Sequence, residues 1–292
     1  MKYTNIILLP VILFFLWSCG QEENIKEIDI YENDNKLTNE DTTDNAKLYV
    51  AISTMISPIE TFNLYKDLID YISEKMDVPI IFKQRKTYGE VNFLLKEKKL
   101  DFAFICTGAY VNEKNELPVE LLVVPVVNGR ALYNAYIIVN KQSDINSFEE
   151  LKGKSFAFTD PLSNSGYAYV VNLLKRKKTN PDKFFNKTIY TNAHDYSIQA
   201  VARNFVDGAT IDGLVYDFLE KTQPEKVKKI KIIKKSEDYG IPPFVVRKDL
   251  DPIIKNKLKE IMLNLHNEPR GKGILKKIHI DKFIEGNDEL YQ

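Results

Sequence analysis

The chain has 292 residues, of which 44% are hydrophobic and 28% are charged, and its formal net charge is zero. This length is enough for one large domain or two modest ones, and 16 Phe and 16 Tyr residues can supply a sizeable core. The sequence lacks the strongly basic, aromatic-rich clusters of nucleic-acid-binding proteins, so nucleic acid is not expected as a partner.

The amino terminus has the pattern of a secretory signal. Lys2 precedes an apolar run that ends in Leu16-Trp17-Ser18-Cys19, and this run is too short for a membrane-spanning helix. Its last four residues resemble the bacterial lipobox, although Trp17 stands where a small residue is usual. We predict a lipoprotein signal peptide over residues 1–19 with lipidation of Cys19, in preference to an ordinary cleaved signal with an incidental cysteine.

The segment after the signal is acidic. Residues 21–45 hold nine Asp and Glu residues against two lysines, and the segment is rich in Asn and Thr. Residues 20–45 are therefore predicted to form a flexible, solvated tether. Because residues 1–20 carry only Lys2, residues 46–292 have a net charge of +6, which suits an anionic ligand.

The body alternates short apolar strands with amphipathic helices, which predicts an α/β fold with mainly parallel sheets. In chain order, a strand at L-Y-V-A-I precedes a long helix, and further strands, such as D-F-A-F-I-C and A-Y-I-I-V-N, alternate with helices. Ser147 and Glu150 have capping-box spacing, a strand is expected at I-D-G-L-V-Y, and Pro252–Leu265 has helical periodicity. Two successive sets of such elements suggest two lobes, joined near residues 133–138 and 234–243.

The segment T-D-P-L-S-N-S-G-Y, at Thr159–Tyr167, lies between a predicted strand and a predicted helix over residues 166–178. A helix start presents unpaired N–H groups and a positive dipole end, so Ser163, Asn164, Ser165 and Gly166 are candidates for binding an anion. The alternative is that Ser163 or Ser165 only caps the helix. The residues themselves favour neither interpretation over the other.

Other polar residues lie at junctions between elements. His194 precedes a predicted helix and is able to donate to an anion, although a capping or surface role is commoner. Asp212 and Asp217 flank the strand expected at I-D-G-L-V-Y. Four tyrosines lie at junctions between loops and predicted helices or strands, namely Tyr88, Tyr110, Tyr133 and Tyr136.

Catalytic and metal-binding patterns are missing from the sequence. The three histidines lack metal-ligand spacing, and the motifs of serine hydrolases and zinc proteases are absent, so neither an enzyme, a metal site nor a cofactor is expected. Cys106, the one cysteine of the body, lies in an apolar strand and is predicted to be a buried, inert thiol.

Taken in order, these segments resemble the phosphate, phosphite and phosphonate group of ABC-transporter substrate-binding proteins. The resemblance runs over residues 48–291 through S-T-M-I-S-P-I-E-T, K-T-Y-G-E-V, L-D-F-A-F-I-C-T-G-A-Y-V, Y-N-A-Y-I-I-V, H-D-Y-S-I-Q-A-V and I-D-G-L-V-Y-D. Its most specific element is D-P-L-S-N-S-G-Y after L-K-G-K. Asn164 stands where the group usually has threonine, and Thr107-Gly108-Ala109 replaces a turn that is usually rich in Gly and Pro.

The resemblance implies a type II periplasmic-binding fold, with residues 46–134 and 242–292 in lobe 1 and residues 135–241 in lobe 2. It implies that a small oxyanion of the phosphonate, phosphite or phosphate type is clamped between the lobes by domain closure. The implied ligand-binding residues are Ser163, Asn164, Ser165, Gly166, His194, Tyr110, Tyr88, Asp217 and Ser53, with Asp217 placed for a ligand's amine.

The implied function is that of a monomeric solute-binding protein of an ABC importer, working with a membrane permease. The protein is expected at the extracytoplasmic face of the envelope, attached to the membrane only through its lipid. An alternative keeps this fold in a sensing lipoprotein that signals through a separate membrane partner.

Overall fold

Two β-sheets, each covered by helices on both faces, organise residues 47–291, the part of the chain that the computed structural model describes. These residues belong to one compact unit, Asn45–Gln292. The predicted signal peptide, the lipidation site at Cys19 and most of the predicted tether lie outside the described residues.

The first sheet has six strands, in the order β13-β4-β12-β3-β1-β2. Helices from both ends of the chain pack on it. Its strands and helices are β1 (Leu48–Ile52), α1 (Pro58–Met76), β2 (Ile80–Phe82), α2 (Tyr88–Lys96), β3 (Phe102–Phe104), α3 (Thr107–Glu113), β4 (Val119–Val126), β12 (Phe244–Arg247), α9 (Pro252–Asn264), α10 (Pro269–Lys277) and β13 (Lys282–Glu285).

The second sheet has five strands, in the order β10-β6-β9-β7-β8. Its strands and helices are β6 (Ala135–Asn140), β7 (Ser155–Phe158), α4 (Tyr169–Arg176), α5 (Pro181–Phe184), β8 (Lys187–Tyr190), α6 (His194–Ala202), β9 (Gly208–Asp212), α7 (Gly213–Thr222), α8 (Pro224–Val227) and β10 (Ile230–Lys235).

The same short sequence, Phe-Ala-Phe, occurs in one inner strand of each sheet, β3 and β7. In β3 the two phenylalanines face the cluster under α1, α9 and α10, and Ala103 faces the cluster under α2. In β7 Phe156 and Phe158 face α4 and α5, and Ala157 faces α6 and α7. Successive side chains of a strand point to opposite faces, so each strand contributes to two cores, one on each side of its sheet.

The α/β fold class is confirmed, but the sheets are mixed rather than mainly parallel. The pairs of β1 with β2 and β3, and of β7 with β8 and β9, are parallel, whereas β12 is antiparallel to β3 and β4. In the second sheet β6 is antiparallel to β9 and β10. The strands next to each crossing between the sheets are antiparallel to their neighbours. The spacing of apolar residues does not indicate strand direction, so it does not predict this.

The chain passes between the sheets at two places, and these two segments pair with each other. β5 (Leu132–Tyr133) lies between β4 and β6, and β11 (Tyr239–Gly240) lies between β10 and β12. They form a short antiparallel ladder in which Tyr239 is opposite Tyr133. The carboxyl-terminal 3-10 turn, Asp288–Tyr291, packs on this crossing, where the Tyr291 hydroxyl donates to the carbonyl of Ile241 at 2.6 Å.

Three local predictions need correction. The segment after Ser147 is only a 3-10 turn, Glu149–Leu151, without a side-chain cap. The helix predicted from residue 166 begins as a π-helical turn, Asn164–Ala168, and continues as α4. The strand expected at I-D-G-L-V-Y stops at Asp212, because the Asp212 side chain accepts the N–H of Leu214 at 2.7 Å and starts α7.

Candidate functional site

The loops after β1, β3, β7 and β9 meet between the two sheets. In each sheet, the carboxyl ends of the parallel strands lie at the edge that faces the other sheet. Ligand sites of α/β folds are expected at such an edge. Direct hydrogen bonds join the two sides. The N–H of His194 donates to the carbonyl of Met55 at 3.0 Å, and the N–H of Tyr88 donates to Asp160 at 3.1 Å.

Ser163 is the residue that caps the helix start. Its Oγ accepts the N–H of Gly166 at 2.9 Å, and its side chain is fully buried. Gly166 is required here, because a Cβ at this position would lie 2.6 Å from the Cβ of Thr159. The capping alternative therefore holds for Ser163, and it leaves the neighbouring Ser165 free of that role.

The hydroxyl of Ser165 is buried and has no hydrogen-bond partner among the described residues. The same is true of Ser53, in the loop after β1 on the opposite side. The buried hydroxyl of Tyr133 lies beside the side chains of Thr107 and Asn164 without a well-formed hydrogen bond to either. Buried polar atoms nearly always have a partner, so these three hydroxyls are candidates for contact with a polar ligand.

The two serines are expected to respond differently to alanine. Ser163→Ala removes the cap and should lower the free energy of unfolding by about 1 kcal/mol. Ser165→Ala breaks no hydrogen bond within the described residues and should change stability much less. Urea unfolding of both variants measures this difference, and equal losses would contradict the assignment of the cap.

His194, the first residue of α6, is a neutral donor. Its Nδ1 accepts the backbone N–H of Asp212 at 3.0 Å and lies 3.0 Å from Oγ1 of Thr159. An accepting Nδ1 places the proton on Nε2, which lies 3.5 Å from the hydroxyl of Tyr88. Burial lowers the pKa of His194 to about 3, so the ring offers an N–H without a positive charge.

The side of the first sheet contributes Tyr88 and Cys106. Tyr88 is fully buried at the first position of α2, where Thr87 and Glu90 form a capping box. Burial raises the pKa of the Tyr88 hydroxyl, so it remains a donor. Burial likewise raises the pKa of Cys106 to about 11, and the nearby backbone N–H groups of Asn164 and Gly108 oppose this shift in part. The predicted burial of this thiol is confirmed.

Two candidate residues have partners outside this cluster, although Asp217 also lines a pocket beside it. The Tyr110 hydroxyl donates to Asp288 at 2.8 Å and its ring packs edge-on against Tyr291. This side chain therefore packs against the turn Asp288–Tyr291. Asp217 lies in the second turn of α7 rather than at a strand end, 3.4 Å from the Tyr136 hydroxyl. Tyr133 and Asp212 were not among the predicted ligand residues, and no spacing in the sequence separates Tyr133 from the other tyrosines.

Asp212 is a buried carboxyl group next to His194. Burial raises its pKa to about 7, and the N–H groups of Leu214 and Val215 oppose this shift only in part. The nearby charged group that acts on it is another carboxylate, Asp217. A group with a raised pKa stabilises the fold at low pH, and this contribution is lost as the pH rises through 7.

Asp212→Asn should remove this loss while keeping an oxygen that accepts the N–H of Leu214. The free energy of unfolding of the variant, relative to the wild type, should therefore be higher at pH 8 than at pH 4, by on the order of 2–4 kcal/mol. Denaturant unfolding at a series of pH values tests this. Parallel stability curves for the two proteins would contradict a buried, proton-carrying Asp212.

Beside this cluster lies a pocket of about 100 Å³ between α1 and α7. Ser53 and Asp212 line it together with mainly apolar side chains. Residues 47–291 contain no group of His, Cys, Asp and Glu side chains arranged to hold a metal ion. Across the same residues, the helices are too short or too polar to cross a membrane.

Comparison with known proteins agrees with this architecture. Residues 50–291 match the family described as "ABC transporter, phosphonate, periplasmic substrate-binding protein". The chain is 31% identical over 165 residues to the phosphonates-binding periplasmic protein of Escherichia coli (strain K12). That alignment covers 55% of this chain and 48% of the relative, so the chain spans about half the length of the curated relative.

Solved structures show the same fold. A binding protein component of a phosphonate ABC transporter from Pseudomonas aeruginosa superposes with a TM-score of 0.78 at 26% identity, covering 85% of this chain and 84% of the other. PhnD1 from Prochlorococcus marinus (MIT 9301), solved in complex with methylphosphonate, gives a TM-score of 0.77 at 19% identity, with 84% and 94% covered. These relatives are binding proteins rather than enzymes, and they have the two-lobed type II fold. The chain belongs to the family of periplasmic substrate-binding proteins of phosphonate ABC transporters.

Proposed function

We propose that the chain captures a phosphonate, phosphite or phosphate-type oxyanion between its two lobes and delivers it to the permease of an ABC importer. Residues 46–134 and 242–292 would form one lobe and residues 135–241 the other. The observation that supports this proposal is the set of buried hydroxyls without partners, Ser53 and Tyr133 in the first lobe and Ser165 in the second, of which Tyr133 lies beside Asn164 at the helix start.

The chemistry of these groups suits an oxyanion. Hydroxyls and the N–H of Nε2 in His194 can donate to it. The N–H groups of Gly166 and Ala168 are bonded to Ser163, which leaves the other N–H groups of the turn at Asn164–Ala168 as possible donors. Donors that point at negative charge form strong hydrogen bonds in a water-poor site. Ser163 and Gly166 shape the turn. Ser165, Asn164 and His194 on one lobe, with Tyr88 and Ser53 on the other, are proposed to contact the ligand.

Domain closure follows from the same arrangement. Donors on both lobes can reach one small anion only when the lobes meet, so the ligand is expected to favour the closed conformation, which the permease then recognises. The bonds between Met55 and His194 and between Tyr88 and Asp160 would form on closure.

Isothermal titration calorimetry with the purified protein tests this function. Methylphosphonate, phosphite and phosphate are the ligands, with sulfate and arginine as controls. At least one of the three phosphorus oxyanions should bind, and at a hundred times its Kd it should raise the free energy of unfolding by about 2.7 kcal/mol. Binding of none of the three would overturn the proposal.

The proposed location is the extracytoplasmic face of the envelope, where a lipid on Cys19 would hold a monomer by the tether of residues 20–45. Fractionation of cells that express the wild type or Cys19→Ser tests the anchor. The wild type should sediment with membranes, and the variant should not. Equal amounts in the membrane fraction would remove the lipid from the proposal.

A further inference from the structure

The pocket between α1 and α7 has a mainly apolar wall. Its volume of about 100 Å³ is several times the roughly 10–15 Å³ that one water molecule needs. Apolar side chains reach it from α1, from α7 and from the segment before β13, namely Leu64, Tyr65, Leu214, Val215, Ile278 and Ile280. A space of this size and character accommodates a short hydrocarbon chain.

This pocket lies beside the proposed oxyanion site. Ser53 and Asp212 line it, and Asp212 is bonded through its backbone N–H to His194. Met55 also lines it, and the same side chain packs against the buried group of Tyr88 and Cys106. A ligand whose phosphonate group contacts His194 and Tyr88 would therefore direct its carbon substituent past Met55 into the pocket.

The charged groups of the pocket have neighbours of their own. Asp217 lies 3.4 Å from the Tyr136 hydroxyl, which in turn lies 3.4 Å from Nζ of Lys235. Lys221, on the next turn of α7, lies 3.4 Å from the side-chain oxygen of Asn128. The carboxyl group of Asp212 accepts the N–H of Leu214. Apart from these groups and His279, the wall of the pocket is mainly apolar.

We propose that this pocket receives the organic substituent of a phosphonate, so that the protein prefers phosphonates with an uncharged alkyl chain of three or four carbons. This inference rests on the proposed function, in which the phosphonate group binds at the helix start. Each methylene buried in an apolar site is expected to tighten binding about fourfold.

Calorimetry with methyl-, ethyl-, propyl- and butylphosphonate tests the preference, and 3-aminopropylphosphonate matches the butyl compound in length but ends in an ammonium group. Butylphosphonate should bind at least tenfold more tightly than methylphosphonate and more tightly than the amino compound. Methylphosphonate binding without a gain for longer chains would overturn this inference alone, as would tighter binding of the amino compound. Binding of no phosphonate would overturn the proposed function and this inference together.

A variant that fills the pocket locates the effect. In Leu64→Trp the advantage of butylphosphonate should fall below threefold, while the Kd of methylphosphonate changes less than threefold. Ile59→Trp, on an exposed position of the same helix, is the matched control and should keep the full advantage. Leu214→Phe repeats the test from the other lobe if Leu64→Trp folds poorly. An unchanged advantage in a folded pocket variant would overturn the inference.

Discussion

Gly108→Ala should weaken methylphosphonate binding about a hundredfold, at the upper end of the cost of overpacking a close contact. A Cβ at Gly108 would lie 2.3 Å from the carbonyl oxygen of Leu162 and 2.5 Å from the backbone N of Asn164. These are backbone atoms of the facing lobe, so they cannot yield as a flexible side chain would. The lobes would have to stay apart at α3, and the donors on each side would no longer reach the same anion. Calorimetry of the variant measures the loss.

The matched control is Gly89→Ala. Gly89 and Gly108 are both the second residue of a helix, but a Cβ at Gly89 would meet nothing within 4 Å. Gly89→Ala should therefore bind as the wild type does. Without ligand, both variants should unfold at nearly the same denaturant concentration, because separated lobes relieve the contact at Gly108. Wild-type affinity in Gly108→Ala would contradict closure of the lobes at this place.

The double variant Asn164→Ala, Ser165→Ala should lose about 2–4 kcal/mol of binding free energy, which is roughly 30- to 1,000-fold in Kd. The two side chains would each donate one hydrogen bond to a charged oxygen, and both bonds disappear. The N–H groups of the turn remain, so some binding should persist. Calorimetry with methylphosphonate gives the affinity, and urea unfolding gives the stability.

Asn180→Ala serves as the control for this pair. The Asn180 side chain caps α5 in the same lobe by accepting the N–H of Lys183 at 3.0 Å, at the opposite edge of the sheet. Its removal should cost stability and leave affinity unchanged, whereas the double variant should cost affinity with little stability. An affinity loss of the same size in Asn180→Ala would show that general destabilisation explains the effect.

The sequence contained enough information to locate the helix start between the sheets but not to assign the role of each residue there. Thr159–Tyr167 follows a strand of strong apolar character, so its place at a sheet edge was predictable. Which serine caps the turn depends on a π-helical turn, whose wider hydrogen bonding has no pattern in side-chain periodicity. Ser163 took the capping role, and Ser165 was left unpartnered, only because of that geometry.

Other differences arise from contacts between distant parts of the chain. The Tyr110 side chain contacts Asp288 and Tyr291, nearly 180 residues away. The tyrosine that lies beside Asn164 is Tyr133. Asp212 ends its strand because its own side chain caps α7. The residue could equally have continued the strand, and residue propensity alone does not decide between strand pairing and capping. Strand direction in the mixed sheets depends on the crossings between lobes, and no single strand carries that information in its sequence.

The crossing between the sheets also affects where the protein can be tagged or labelled. The turn Asp288–Tyr291 holds it from outside: Tyr291 bonds to Ile241, and Gly240 leaves no room for a side chain beneath the carbonyl of Leu290. A purification tag or fluorescent reporter fused directly after Tyr291 would pull on the two segments that cross between the sheets. Labels for measuring the proposed lobe movement are therefore better placed at exposed positions such as Ile253 or Phe205.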